Sequence, residues 1–248
     1  LFLGGDLLPR RGDVSAFIEK WLIDTPLSLR ERSSRPTELF VIMGNDDPRS
    51  YEPLFIKGHE KGAFRYVHMA KEPLGDLFVR GYSYVPPSPF MLKDWERYDV
   101  SRFTSVGCIP PEEGIFTTET DRRSLLFETI KQDLATMEDD PDIDRTLFLF
   151  HAPPSDTCLD RVDMDGVMVD QAPMDLHVGS LAVREFIEKR QPLLSMHGHI
   201  HESTRMTGKF LERLGRTPCL NGANDGPELS FIRFETDDLS NIERTLVP

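Results

Sequence analysis

The order of apolar and polar positions predicts short buried strands alternating with helices. An apolar run at 1–3 stops at Gly4-Gly5-Asp6, and a segment of helical period follows, with Phe17, Ile18, Trp21 and Leu22 on one face and Asp13 as its cap. The run 39–43 ends in the polar turn Gly44-Asn45-Asp46-Asp47-Pro48. Short strand signals recur over 64–85 with Gly75-Asp76 as a turn, which implies antiparallel or mixed pairing there. The Pro-rich stretch 85–90 cannot continue a central strand and reads as a loop. A helix is expected over 121–137 with Ile130 and Leu134 inward, and a buried strand over 146–150, ending at His151-Ala152-Pro153-Pro154. A further helix, 180–189, turns Val183, Phe186 and Ile187 inward, and the strand 192–196 then runs into His197-Gly198-His199-Ile200-His201. Two more strand-like runs, 219–221 and 229–234, occupy the tail.

Four of these runs end in a potential metal ligand or ligand pair: Asp6, Asn45, His151, and His199 with His201. Ligands collect outside the carboxyl ends of strands in open α/β sheets, so the recurrence points to one shared site. The mixture of residue types suits a pair of divalent ions about 3.5 to 4 Å apart, with one carboxylate between them and neutral imidazoles and an amide oxygen elsewhere. Asp6 suits the bridging position. His199 and His201 share a face on extended backbone, while a turn between them would aim them at different ions.

Composition narrows the setting. The 248 residues, 39% of them apolar, suffice for one large α/β domain, with no internal repeat or clear linker. A formal net charge of -13 opposes binding a nucleic-acid duplex over a broad basic surface, so an anionic substrate needs a local positive centre, which bound cations supply. Cys108, Cys158 and Cys219 are odd in number and widely spaced, which fits neither a disulfide framework nor a zinc knuckle. No apolar run is long enough to span a bilayer and no leader pattern opens the sequence, so the expectation is a cytoplasmic protein with no membrane association. Nothing indicates the oligomeric state.

Taken in order, these residues resemble the calcineurin-like metallophosphoesterase superfamily, whose motifs run Asp-x-His, Gly-Asp, Gly-Asn-His-Asp/Glu, a lone His, and Gly-His-x-His. Gly5-Asp6 matches the second motif, Gly44-Asn45-Asp46-Asp47 the third in part, His151 the fourth, and Gly198-His199-Ile200-His201 the fifth. The resemblance spans nearly the whole chain. It implies a four-layer αββα sandwich, two mixed β-sheets flanked by helices, formed by residues 1–248 as a single domain that lacks its N-terminal strand and first metal-binding motif. It further implies that Asp6 bridges two ions, that Asn45, His151 and His199 complete one coordination shell, and that His201 belongs to the other. The implied activity is hydrolysis of a phosphate ester, mono- or diester, by a metal-bound hydroxide on a small phosphorylated substrate. Imidazole-rich mixed N/O sites favour Mn, Fe or Zn over Mg as the two divalent ions.

Asp46 departs from the pattern, since many members place there a histidine that contacts phosphate and protonates the leaving group. An aspartate, with a reference pKa near 3.9, is a poor default acid unless its surroundings tune it. That departure and the absent first motif support an alternative, a non-catalytic interaction module on the same fold. Lys93 and Arg97, in the aromatic stretch after the Pro-rich loop, and His177, just ahead of a helix, are substrate-side candidates. His197 reads as a supporting residue that points away from the ligands, and His59 and His68 as surface or packing residues. Arg11-Gly12-Asp13 and the acidic run 138–144 carry no functional signal.

Overall fold

The run 39–43 and the run 146–150 become fully buried strands of the computed structural model, which describes residues 1–34, 37–169 and 171–248. Strands β1 (Phe2–Gly4), β2 (Phe40–Ile42) and β3 (Arg65–Tyr66) form a parallel sheet in that order. A hairpin of β4 (Lys71–Leu74) and β5 (Leu77–Tyr82) turns at Gly75-Asp76, as expected, with Gly75 at a φ of 59°. The remaining strands are β6 (Thr146–Phe150), β7 (Met168–Val169), β8 (Ala172–Pro173), β9 (Leu194–His197), β10 (Leu211–Leu214), β11 (Thr217–Asn221), β12 (Leu229–Glu235) and β13 (Asp238–Val247). A six-stranded sheet runs in the order β10-β11-β9-β6-β5-β4. Its four inner strands are parallel and both edges antiparallel. The fold is thus mixed α/β, with helices flanking the six-stranded sheet.

Strands β2 and β6 are buried on both faces, which is why they read as continuous apolar runs. Phe40 and Ile42 of β2 share one cluster with Leu147 and Leu149 of β6 and with Leu194 and Met196 of β9, so both sheets contribute to it. The alternate residues Val41, Phe148 and Phe150 join a second cluster with the helical residues Ile18, Ile23, Phe186 and Ile187. Burying each such side chain is worth roughly 1.5–3 kcal/mol. No helix among the described residues is long and apolar enough to cross a membrane.

Two helices differ from expectation. Residues 18–24 form a π-helical run, whose i→i+5 bonding brings Ile18 and Ile23 to the core while Trp21 stays 52% exposed. The helix expected over 121–137 is two helices, Arg122–Phe127 and Ile130–Ala135. Thr129 separates them because it is extended and caps the second, its hydroxyl accepting from the Gln132 amide while the Gln132 side chain accepts from the Thr129 amide.

His68 is a packing residue. Its Nδ1 accepts from the Ser83 amide at 3.1 Å, and its ring meets Trp95 edge-on at 5.0 Å. Burial, helped by the Arg49 and Arg97 charges, holds its pKa down at about 3. Because the unfolded chain takes up a proton near pH 6.5 that the native state refuses, this stability is present above pH 6.5 and is lost as the pH falls towards 3. In urea titrations between pH 7.5 and 5, the parent should therefore lose stability more steeply than His68→Asn, by up to about 1.4 kcal/mol per pH unit. Parallel slopes would show that His68 titrates normally.

Candidate metal centre

The carboxyl ends of β1 and β2 in one sheet, and of β6 and β9 in the other, deliver four polar side chains to one point. His151 Nε2 lies 3.1 Å from Asp6 Oδ2 and 3.0 Å from Asn45 Oδ1. His199 Nδ1 lies 2.7 Å from the same Asn45 oxygen. The Asp6, His151 and His199 ligand atoms fall within 4.8 Å of one another, a spacing that a single cation could occupy. Asp6 and His199 both hold left-handed backbone, with φ of 55° and 66°. That conformation is costly for residues with a Cβ and gathers at functional sites.

The loops after β1 and β2 touch so closely that glycine is required on both. A Cβ on Gly44 would stand 2.3 Å from Asp6 Oδ1 and 2.5 Å from His151 Cε1, and Gly5, at φ 97°, would put one 2.7 Å from the Gly44 Cα. The Asp46 amide donates to Asp6 Oδ1 at 2.8 Å, which leaves Asp6 Oδ2 for His151.

Proton positions show what the cluster fits. His151 is 1% exposed, and its Nδ1 faces the Gly4 carbonyl at 2.7 Å, an acceptor, so Nδ1 carries the hydrogen. Its Nε2 then faces two oxygens. Without a cation a second proton must sit there: burial disfavours that charge most strongly of any single influence, but the Asp6 carboxylate together with the Gly4 carbonyl and Asp47 raises the His151 pKa nonetheless. Burial likewise works against the charge on Asp6, yet His151 and the Asp46 amide hold its carboxyl well below the usual range. A cation would replace that second proton, with the neutral Nε2 lone pair, the Asp6 carboxylate and the Asn45 amide oxygen all turned towards it. Burial, then the neighbouring His151, lower His199 to about 3, so it stays neutral as a ligand must. The Gly4 carbonyl orients His151 as carbonyls commonly orient metal-bound imidazoles. The donor set therefore fits a divalent transition ion.

The other expected residues are placed unevenly. His201 is exposed and stands outside the Asp6–His151–His199 cluster, although it lines the same cavity, about 520 Å³, which continues along β1 and β12. The Asp46 carboxylate turns outward to Arg10 Nη2 at 2.7 Å. Lys93 and Arg97 do not line this cavity: Lys93 is 0% exposed and bonded to Glu96 and the Ser88 carbonyl, and Arg97 pairs with Asp133 and Glu128. Both face a separate cavity of about 410 Å³. His177 Nδ1 bonds the buried Asp160 at 2.8 Å, away from the lining of the cluster's cavity. His197 supports from behind, through the Ala152 carbonyl at 2.8 Å and the Ser195 hydroxyl at 2.9 Å.

Arg10 and Asn221 are not singled out by sequence, and Asp47 stands there only within the motif match, without a role of its own. Asn221 Nδ2 donates to the Ile200 carbonyl at 3.2 Å and the Ser203 hydroxyl at 2.7 Å, fixing the turn between His199 and His201. The signal existed, since Asn221 is another polar residue that ends a buried strand.

No protein-family model and no curated protein matches the chain. Ten solved chains match it in structure. One of them, a crystal structure, superposes with a TM-score of 0.52 at 18% identity, over 95% of this chain and 76% of its own, a likeness of fold alone.

Proposed function

We propose that the protein is a metal-dependent phosphoesterase on a four-layer sandwich of the calcineurin-like kind. The observation that carries this is the convergence of Asp6, Asn45, His151 and His199 from four strand ends, with His151 Nε2 facing two oxygens. A bound divalent ion would lower the pKa of a water and offset charge on a phosphoryl group. Asp6, Asn45, His151 and His199 would hold one ion; a second would take Asp6 and His201. The chain's own residues set the rest. The Asp46 amide fixes which Asp6 oxygen meets His151, and the Gly4 carbonyl fixes the His151 ring. Arg10, 85% exposed beside Asp46, brings positive charge to a chain of net charge -13.

With the Asp46 carboxylate tied to Arg10, that position offers a leaving group no ready proton. Protein purified and reconstituted with Mn²⁺ or Zn²⁺ should hold the ion stoichiometrically and hydrolyse aryl phosphate esters faster than alkyl ones by about 10²- to 10⁴-fold, the usual worth of general-acid help. Only trace metal in a folded, reconstituted sample would sink the proposal. Full metal without turnover of any ester would favour the interaction module, for which the outward Asp46 is the specific support.

A further inference from the structure

Asp47 follows Asn45 and Asp46 but meets none of the clustered imidazoles. Its side chain is 0% exposed, and one oxygen accepts from the Leu8 amide at 2.9 Å while the other accepts from the Gly44 amide at 2.9 Å. Leu8 lies two residues beyond Asp6, and Gly44 directly precedes Asn45. The Asp47 amide closes the turn on the Gly44 carbonyl at 3.1 Å. One carboxylate thus staples the loop that carries Asp6 to the loop that carries Asn45. The turn so fixed also aims the Asp46 amide at Asp6.

The staple has a rigid backing. Trp95, 0% exposed, donates its Nε1–H to the Asp47 carbonyl at 2.9 Å. The indole is gripped by the Arg49 guanidinium at 5.0 Å and by the rings of His68 and Tyr84 at 5.0 and 5.5 Å. The aromatic stretch after the Pro-rich loop therefore reaches the clustered side chains through Trp95 rather than through Lys93 or Arg97.

We propose that Asp47 is a positioning residue that sets the spacing of Asp6 and Asn45, with Trp95 as its fixed support. A carboxylate is the side chain suited to the task because it presents two acceptors to two backbone donors. Asparagine keeps the shape but turns an NH₂ towards one of the two amides, so one staple opens. Outer partners of this kind are typically worth about 10- to 100-fold in metal affinity or activity. The consequence for ions rests on the function proposed above; the spacing of the two loops does not.

The test compares the full chain with Asp47→Asn and with Asp140→Asn, which breaks another buried carboxylate, paired to Lys71 and Arg80 outside the cluster. Three quantities are read: the unfolding midpoint, amide hydrogen exchange at Leu8 and Gly44 without metal, and the Mn²⁺ dissociation constant. Asp47→Asn should stay folded, speed exchange at both amides, and weaken Mn²⁺ about 10- to 100-fold. Asp140→Asn should lower the midpoint and change neither of the other two. Unchanged exchange at Leu8 and Gly44 in Asp47→Asn overturns the proposal, and so does an equal loss of Mn²⁺ affinity in Asp140→Asn. If the parent itself binds no Mn²⁺, the metal function falls while the exchange comparison still decides the staple. Should Asp47→Asn not fold, Trp95→Phe removes the bond to the Asp47 carbonyl together with part of the indole's packing; unchanged exchange at the two amides there also overturns the proposal.

Discussion

Asp6→Asn is expected to lose the bound ion and to lower phosphoester hydrolysis by more than about 10²-fold, beyond the range usual for a residue that merely supports a metal ligand. Asparagine is the informative replacement because it tolerates the left-handed backbone that Asp6 adopts at a φ of 55°, where alanine would add strain of its own. It keeps an oxygen for the Asp46 amide and removes the charge. His151 then loses the carboxylate that contributes most against its burial, and its ring should become neutral in the metal-free protein. The fold has little reason to fail, since no buried charge is left without a partner. His59→Ala is the comparison: His59 Nδ1 accepts the Tyr66 backbone amide, away from the cluster, and its loss should leave metal content and rate unchanged. Metal analysis and initial rates decide the matter. Full occupancy and full rate in Asp6→Asn would remove this carboxylate from the centre and the centre from the function.

How much of this arrangement the sequence announces depends on whether a residue acts through its own chemistry or through its neighbours' backbone. Asp6, Asn45, His151 and His199 are legible because each is a ligand type placed where an apolar run stops, and a buried strand end fixes where such a residue points. His201 obeys the same rule, but the chain turns after Gly198, with the Ile200 amide bonded to the Gly198 carbonyl at 2.7 Å, and His201 is left exposed. Lys93 was expected beside substrate because it is a cation in an acidic chain. Its partner Glu96 stands three residues on, a spacing that equally describes an internal ion pair, and burial decides for the pair. Asp47 falls within the motif match but receives no role from it, because its partners are the amides of Leu8 and Gly44, and backbone donors look the same at every position of a sequence. The strands at 40–42, 77–82 and 146–150 follow from apolar run and turn chemistry, whereas the rotation of Trp21 out of the core depends on a π-helical run that a 3.6-residue period does not anticipate.

Gly44→Ala should remove activity and metal while costing only about 1–3 kcal/mol of stability, the usual penalty for overpacking a buried position. The new methyl would meet Asp6 Oδ1 at 2.3 Å and the Asp6 amide nitrogen at 2.6 Å, so a side-chain rotation alone cannot relieve it. The Asp6 backbone has to retreat. That retreat is blocked from one side by Gly5, itself at φ 97° and in contact with Gly44, and opposed from the other by the His151 ring, whose Cε1 the methyl would meet at 2.5 Å. The clustered side chains therefore separate before the fold yields. Gly75→Ala makes the matching control: Gly75 is left-handed at φ 59° in the β4–β5 turn, but a Cβ there meets nothing within 4 Å, so its cost is the backbone strain alone, about 1 kcal/mol. Denaturant unfolding should find both variants folded and modestly weakened, and Mn²⁺ titration should find the ion lost only in Gly44→Ala. A Gly44→Ala protein that binds Mn²⁺ as the parent does would mean that the contact between the two loops is incidental and that Asp6 and Asn45 do not need to meet.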